Sequence, residues 1–214
     1  KADLMDAQGK QFASPSLVIH GEKQKASIIS VRIRSDQQLG RKSVANETMD
    51  NIIDIISQNK GRAYKSDGSI IGIFAPSITR TFDNSLDALN VSYKITSLLK
   101  EYNHKYIPKL SFGVALHEGE IIAKKDKGNL LFTPLGSTLP TSKRISELAN
   151  DELLISEDAN KSLTGKIKSS LRPNVKNYRV YSVNEMSDKS KNYQFINKFL
   201  ERNKEYKNLN NFRV

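Results

Sequence analysis

Residues 62–74 read RAYKSDGSIIGIF and predict a β-hairpin. Two apolar runs, 62–65 and 69–74, are separated by Ser66-Asp67-Gly68. Asp-Gly between such runs is a strong hairpin signal because both residues tolerate positive φ. Pro76 then ends the second run, since proline cannot donate to a sheet ladder. We therefore expect two adjacent antiparallel strands here.

The residues before the hairpin predict a strand followed by a helix. Residues 27–33 read SIISVRI, a β-branched run that is typical of a buried strand. From Leu39 to Asn59 the apolar residues fall at helical spacing, and Lys60-Gly61 provides a stop signal.

The residues after the hairpin repeat this pattern. The spacing predicts a helix over about 84–102, then strands 109–117 and 120–125 joined by a turn at Glu118-Gly119, then a polar hairpin arm over 126–133. The resulting β-α-β-β-α-β order is the ferredoxin-like order of an α+β protein, with an antiparallel sheet and both long helices on one face. Such a fold hosts many functions and decides none of them.

Further elements are predicted towards the C-terminus. These are a short helix at 142–149, a strand at 152–155, a helix starting at 156–158, an added strand at 178–183, and a helical stripe over Phe195–Leu200. We expect a lead-in segment 1–25, a main domain 26–185 and a basic C-terminal helix and tail 186–214.

The positive charge is concentrated at the C-terminal end. Residues 161–214 hold 13 Lys or Arg against 4 Asp or Glu, which is +9 of the net +11. A basic end on a nearly neutral domain is typical of a solvated tail, with weak, nonspecific polyanion contact as its expected activity.

The composition excludes several classes of protein. The absence of Cys excludes disulfides, thiolate zinc sites and a thiol nucleophile. The three His residues are scattered, so a His-based metal centre is not expected. The longest apolar run, 70–76, is far short of the ~20 residues that span a bilayer. The chain starts at Lys1, so we expect a fragment of a longer protein, cytoplasmic or the cytosolic part of a membrane-attached one.

Four sequence patterns, in this order, resemble one enzyme family over about residues 26–163. They are GRAYKSDGSIIGIF at 61–74, LDAL at 86–89, GVALHEGEI at 113–121 and FTPLGSTLPTSKRI at 132–145. Together with the strand 27–33 they resemble the class III nucleotidyl (adenylate and guanylate) cyclase domain. The resemblance implies attack of a ribose 3′-hydroxyl on the α-phosphate of a nucleoside triphosphate. It also implies two Asp residues holding two divalent ions, an Arg and an Asn at the transition state, and a site shared by two subunits.

The chain departs from this family at the positions of greatest chemical importance. The first metal-binding Asp falls at Arg32, the second at Gly68 with Asp67 one residue early, and the Asn at Pro140. A one-residue slip in a hairpin sends a side chain to the opposite face. We therefore predict a degenerate member with no metal site. A further hypothesis pairs Arg32 with Asp67, and His117 is expected to be a structural landmark of its predicted turn.

Other family positions are retained. Arg144 stands at the transition-state Arg position, and Thr133 at a purine-reading position. The purine-reading Lys aligns with Tyr64, with Lys65 adjacent, and Lys176 stands near a late phosphate-binding Lys. The resemblance thus implies Arg144, Thr133, Lys65 and Lys176 as candidate nucleotide-binding residues.

Three functional hypotheses follow. The first is a cyclase-homology domain that acts as a dimerisation or regulatory module in signalling, as a homodimer or with another cyclase-like domain, without a cofactor. The second is an active cyclase, with Mg²⁺ or Mn²⁺ held by displaced or partner-supplied ligands. The third is a basic adaptor that binds polyanions through residues 161–214.

Overall fold

The computed structural model describes residues 12–16, 20–34, 42–107, 109–127, 129–173 and 178–186. Its strands are β1 (Ala13–Pro15), β2 (Glu22–Arg34), β3 (Arg62–Ser66), β4 (Ser69–Phe74), β5 (Ser111–Asp126), β6 (Asn129–Pro134), β7 (Leu153–Ser156), β8 (Ile167–Leu171) and β9 (Val180–Met186). Its helices are α1 (Lys42–Gln58), α2 (Pro76–Thr79), α3 (Asn84–Lys105), α4 (Thr138–Leu148) and α5 (Glu157–Ser162).

The sheet confirms the predicted ferredoxin-like core. Its strands run in the order β3-β4-β2-β5-β7-β9-β8, and β2 lies antiparallel to both β4 and β5. Alternate residues of the central strands, such as Val31 and Val114, share one buried cluster with Ile52 of α1 and Leu89 of α3. Both long helices therefore cover the same face, and β9 is the added C-terminal strand.

Helix α4 packs on the opposite face of the sheet. A Cβ at Gly113 would lie 2.0 Å from the Ser146 carbonyl oxygen, so only glycine allows the helix so close to β5. The guanidinium of Arg34 donates to the carbonyl oxygens of Glu147 (2.6 Å) and Ala149 (2.8 Å). These carbonyls have no partner within the helix, so Arg34 fixes the end of α4 against β2.

The predicted turn at Glu118-Gly119 is wrong, because β5 continues through it to Asp126. β5 pairs with β2 from Ser111 to Ala123 without interruption. Gly119 is needed for packing instead: a Cβ there would lie 2.4 Å from the Thr138 side chain. The hairpin arm predicted beyond it is confirmed, with Asp126 opposite Asn129.

Other boundaries also differ from the predictions. α4 begins at Thr138, four residues early, because Pro140 falls in the first turn, where a helix tolerates proline. Residues 13–15 and 22–25 of the predicted lead-in segment are sheet strands. The predicted stripe Phe195–Leu200 lies outside the described residues. No helix in the described ranges is long and apolar enough to cross a membrane.

Candidate functional site

The turn between β3 and β4 is the centre of the candidate site. Asp67 (φ 50°) and Gly68 (φ 70°) both adopt the left-handed conformation that a two-residue hairpin turn requires. Arg32 of β2 pairs with Ser69 of β4, which brings its side chain beside this turn. The Arg32 guanidinium donates to the Asp67 carbonyl oxygen. A Cβ at Gly68 would lie 3.1 Å from Arg32 Nη1, so the guanidinium packs directly on the turn.

Lys143 of α4 supplies a second cation at the same turn. Its ammonium lies 2.8 Å from Asp67 Oδ2 and 2.9 Å from Ser66 Oγ. The hydrogen bond and charge of Lys143, followed by the Ser66 hydroxyl and the charge of Arg32, hold the Asp67 pKa below its ordinary value. The Asp67 side chain is 86% exposed, whereas that of Lys143 is 25% exposed.

The Arg32–Asp67 hypothesis is therefore corrected in one respect. Arg32 bonds to the Asp67 backbone carbonyl, while the Asp67 carboxylate forms its ion pair with Lys143. No motif pointed to Lys143, because it occupies a variable position of the FTPLGSTLPTSKRI pattern. The one sequence signal for Lys143 was its position next to Arg144. Both residues lie on α4, whose Lys143 contacts the hairpin.

The residues around the turn do not suit a divalent metal ion. Mg²⁺ and Mn²⁺ take several oxygen ligands, whereas the turn offers one carboxylate that is already paired with a cation. Among the described residues there is no group of three or more His, Cys, Asp or Glu that could hold a metal. A cavity of about 250 Å³ on the α1 side of the turn has an apolar floor, formed by Val31, Ile33, Met49 and Ile70.

The predicted nucleotide-binding residues each contact a different part of the chain. Lys65 forms an ion pair with Asp50 (3.1 Å), and Arg144 forms one with Glu147 on its own helix (2.9 Å). The Thr133 hydroxyl donates to the Ser16 carbonyl oxygen. Lys176 lies outside the described residues. A nucleotide-binding role for these four residues stays a prediction.

Two further residues that the resemblance singled out are Pro140 and Tyr64. Pro140 is the third residue of α4 and offers no side-chain donor. Tyr64 packs its ring 5.7 Å from that of Phe132, and burial raises the pKa of its phenol. Tyr64 therefore places a partly buried phenol where the resemblance implied a purine-reading Lys.

His117 and Glu118 are buried neighbours within β5, and their side chains have separate polar partners. His117 Nδ1 is 3.0 Å from Ser156 Oγ, and burial lowers the imidazole pKa. The Glu118 carboxylate accepts from the hydroxyls of Ser27 (3.2 Å) and Ser162 and pairs with Lys25. His117 therefore does not mark a turn, and its contacts favour the structural role that we expected for it.

Comparison with known proteins identifies the fold. No family model matches the sequence, and no curated protein matches it. The guanylate cyclase domain of RhGC from Catenaria anguillulae, solved with GTP, has a TM-score of 0.61 at 15% identity, covering 78% of this chain and 100% of that chain. The adenylyl cyclase CyaB from P. aeruginosa has a TM-score of 0.62 at 14% identity, covering 78% and 97%.

A third structure is a non-canonical dimeric guanylyl cyclase domain of the RhoGC fusion protein from Blastocladiella emersonii. It has a TM-score of 0.62 at 17% identity and covers 79% of this chain and 100% of that chain. The protein therefore has the fold of adenylyl and guanylyl cyclase catalytic domains, as the sequence resemblance implied.

Proposed function

We propose that this chain is a cyclase-fold domain that has lost two-metal catalysis and acts as a dimerisation or regulatory module of a longer cytoplasmic signalling protein. Its partner is a second copy of the chain or another cyclase-like domain. The proposal rests on the pair of cations, Arg32 and Lys143, that hold the β3–β4 turn.

The charges at the turn oppose metal binding. A divalent ion about 4 Å from one fixed unit cation is repelled by on the order of 8 kcal/mol at an effective dielectric near 20. The single carboxylate, Asp67, already has a partner in Lys143. These contacts support the proposal that protein side chains stabilise the β3–β4 turn of this chain. In the family that the sequence resembles, bound metal ions are expected at this position.

Pro140 argues against a site that a partner completes. If a partner domain supplied both metal-binding Asp residues, this chain would still have to supply the transition-state Asn and Arg. Proline lacks any side-chain donor. Arg144 is present but is paired with Glu147. The fold is thus retained, while the residues for metal binding and the residues for transition-state stabilisation both depart from what the reaction needs. This combination favours a role in binding over a role in catalysis.

Calorimetric titration with ATP and with GTP, each with and without Mn²⁺, tests this proposal. We expect no Mn²⁺-dependent binding to the wild-type chain. A restored variant, Arg32→Asp with Gly68→Asp, should gain Mn²⁺ binding because it supplies two carboxylates, and Asp tolerates the left-handed conformation at residue 68. The matched control, Arg32→Asn, removes the cation without adding a carboxylate. Mn²⁺-dependent nucleotide binding by the wild-type chain that disappears in Asp67→Ala would refute the proposal.

A further inference from the structure

The loop between α2 and α3 presents a fully exposed aromatic ring. Phe82 is 100% exposed, the highest value among the large apolar side chains of the described residues. Single apolar residues on a surface are ordinary and imply nothing by themselves. Phe82 differs in two respects: its loop is fixed by specific contacts, and other apolar side chains with partial exposure lie beside it. Both features are typical of an aromatic anchor at a contact surface.

The loop that carries Phe82 is fixed by its own polar groups. Asn84 Nδ2 donates to the Thr81 carbonyl oxygen (2.9 Å), and the Asp83 amide donates to the Thr81 hydroxyl oxygen (3.1 Å). The Asp83 carboxylate also pairs with Lys166, which follows α5. A partner of Phe82 therefore meets a ring on a pre-organised loop, which reduces the entropy that is lost on contact.

The described part of the chain ends close to this ring. β9 ends at Met186, which lies opposite Ile167, the first residue of β8. Lys166 directly precedes Ile167 and pairs with Asp83, the neighbour of Phe82. Ile167 and Met186 are themselves only partly buried. One strand pair and one ion pair thus connect the end of β9 with the exposed ring.

The chain beyond Met186 contains an apolar segment that needs a surface. Four large apolar residues recur at helical spacing within 193–206: Phe195, Ile196, Phe199 and Leu200. An isolated helix of about 14 residues is marginal in water, so it depends on the burial of its apolar side. Residues 187–194 can span up to about 27 Å, which is sufficient to cross the two contacts between Met186 and Phe82.

We propose that residues 193–206 form a helix that docks on the apolar surface of Phe82, Ile167 and Met186. The occupant is a segment of the same chain, because the chain leaves β9 beside this surface and carries its apolar stripe within reach of it. The stripe is then part of the fold, and the basic C-terminal end is held against the domain. This inference goes beyond the proposed function and does not depend on it.

A tryptophan at residue 82 reports whether the ring position is covered. The chain has no Trp, so Phe82→Trp gives a single reporter in the full chain. We expect its emission to be blue-shifted and protected from acrylamide, because the docked helix excludes water. Adding Phe199→Asp should shift the emission to the red and raise quenching to that of an exposed indole, since a carboxylate on the stripe opposes burial.

Two controls make the result specific. Asn197→Asp adds the same charge on the other side of the predicted helix and should leave the reporter at residue 82 protected. Ile107→Trp places the reporter at a second exposed position, at the end of α3, and should not respond to Phe199→Asp.

Three results would overturn the docking. One is a reporter at residue 82 that is quenched equally with and without Phe199→Asp. Another is a red shift of both reporters in Phe199→Asp, which would show that Phe199 supports the whole domain and not the surface at Phe82. The third is a blue shift at residue 82 that grows with protein concentration, which would assign the covering surface to a second copy.

Discussion

The Lys143 ammonium lies 2.8 Å from the Asp67 carboxylate and ties helix α4 to the β3–β4 turn. Arg32 holds the same turn from β2 through the Asp67 carbonyl oxygen. The turn is therefore fastened by two side-chain cations at the position where a cyclase active site would be expected to hold metal ions. In the proposed function, these two cations stand where the resemblance implied metal-binding Asp residues.

The first prediction concerns the Lys143–Asp67 pair. In Lys143→Met the Asp67 pKa should rise towards its ordinary value, because Lys143 is the main cause of its lowering. A lowered carboxyl pKa stabilises the fold above the ordinary pKa, and this contribution is lost as the pH falls through the lowered one. The variant should thus be less stable than wild type at neutral pH and equally stable in strong acid. NMR titration of the Asp67 carboxyl group measures its pKa in both proteins. Denaturant unfolding at neutral pH and in strong acid measures the difference in stability.

Lys65→Met is the matched control for that experiment. It removes a surface ion pair with Asp50 and leaves the cations at the turn in place. If Lys65→Met and Lys143→Met raise the Asp67 pKa equally, the Lys143–Asp67 ion pair is not the main cause of the lowered pKa.

A second prediction concerns the buried carboxylate of Glu118. The Glu118 side chain is 3% exposed and its partner Lys25 is 62% exposed. Lys25→Met should destabilise the protein by about 1–3 kcal/mol, since it leaves a buried charge with only hydroxyl donors. Glu118→Gln should cost less, because a freed Lys25 can turn to water. Chemical denaturation of both variants and of the double variant tests this. A double variant whose loss equals the sum of the single losses would show that the two residues are not coupled.

A third prediction follows from the burial of His117. Burial holds its pKa below the ordinary 6.5, so the folded state binds fewer protons than the unfolded state once the pH falls below 6.5. Stability should fall with decreasing pH there, by at most about 1.4 kcal/mol per pH unit from this group. His117→Asn should remove that slope, whereas the exposed control His20→Asn should keep it. An unchanged slope in His117→Asn would assign the acid sensitivity to other groups.

A fourth prediction concerns the basic end of the chain. Since +9 of the net charge lies in residues 161–214, polyanion binding should be carried there and should weaken steeply as salt rises. We compare the whole chain with a version ending near Ser187, which removes 7 Lys or Arg and 3 Asp or Glu and so should weaken binding without abolishing it, using DNA, RNA and anionic vesicles at two salt concentrations. Sequence-selective, salt-resistant binding that survives truncation would favour a nucleic-acid adaptor over a regulatory module.

Local patterns predicted the central part of the fold. The β-branched runs SIISVRI and SIIGIF, the helical spacing before Lys60-Gly61, and the Asp67-Gly68 turn each carry a local preference that the structure shows. These preferences also agree with the tertiary structure, since Ile29, Ile56 and Ile70 of these segments lie in one large buried cluster. Agreement between local and global preferences is what makes such segments predictable.

The errors arose where distant residues decide the structure. Gly119 looked like a turn residue, but its lack of a side chain makes room for Thr138. β1 has only three residues, too few for a periodic signal, and its position depends on β6. Lys143 became part of the site through a turn 76 positions away. None of these relationships can be derived from spacing along the chain.

The most direct test of the account is an assay for product. The purified full chain is incubated with ATP or GTP and with Mg²⁺ or Mn²⁺, and cyclic nucleotide and pyrophosphate are quantified over time beside an active cyclase domain. The account predicts no cyclic nucleotide above the enzyme-free background, because Arg32, Gly68 and Pro140 stand at three positions that the reaction needs. Metal-dependent formation of cyclic nucleotide that Asp67→Ala abolishes would contradict it and would make Asp67 a working metal ligand.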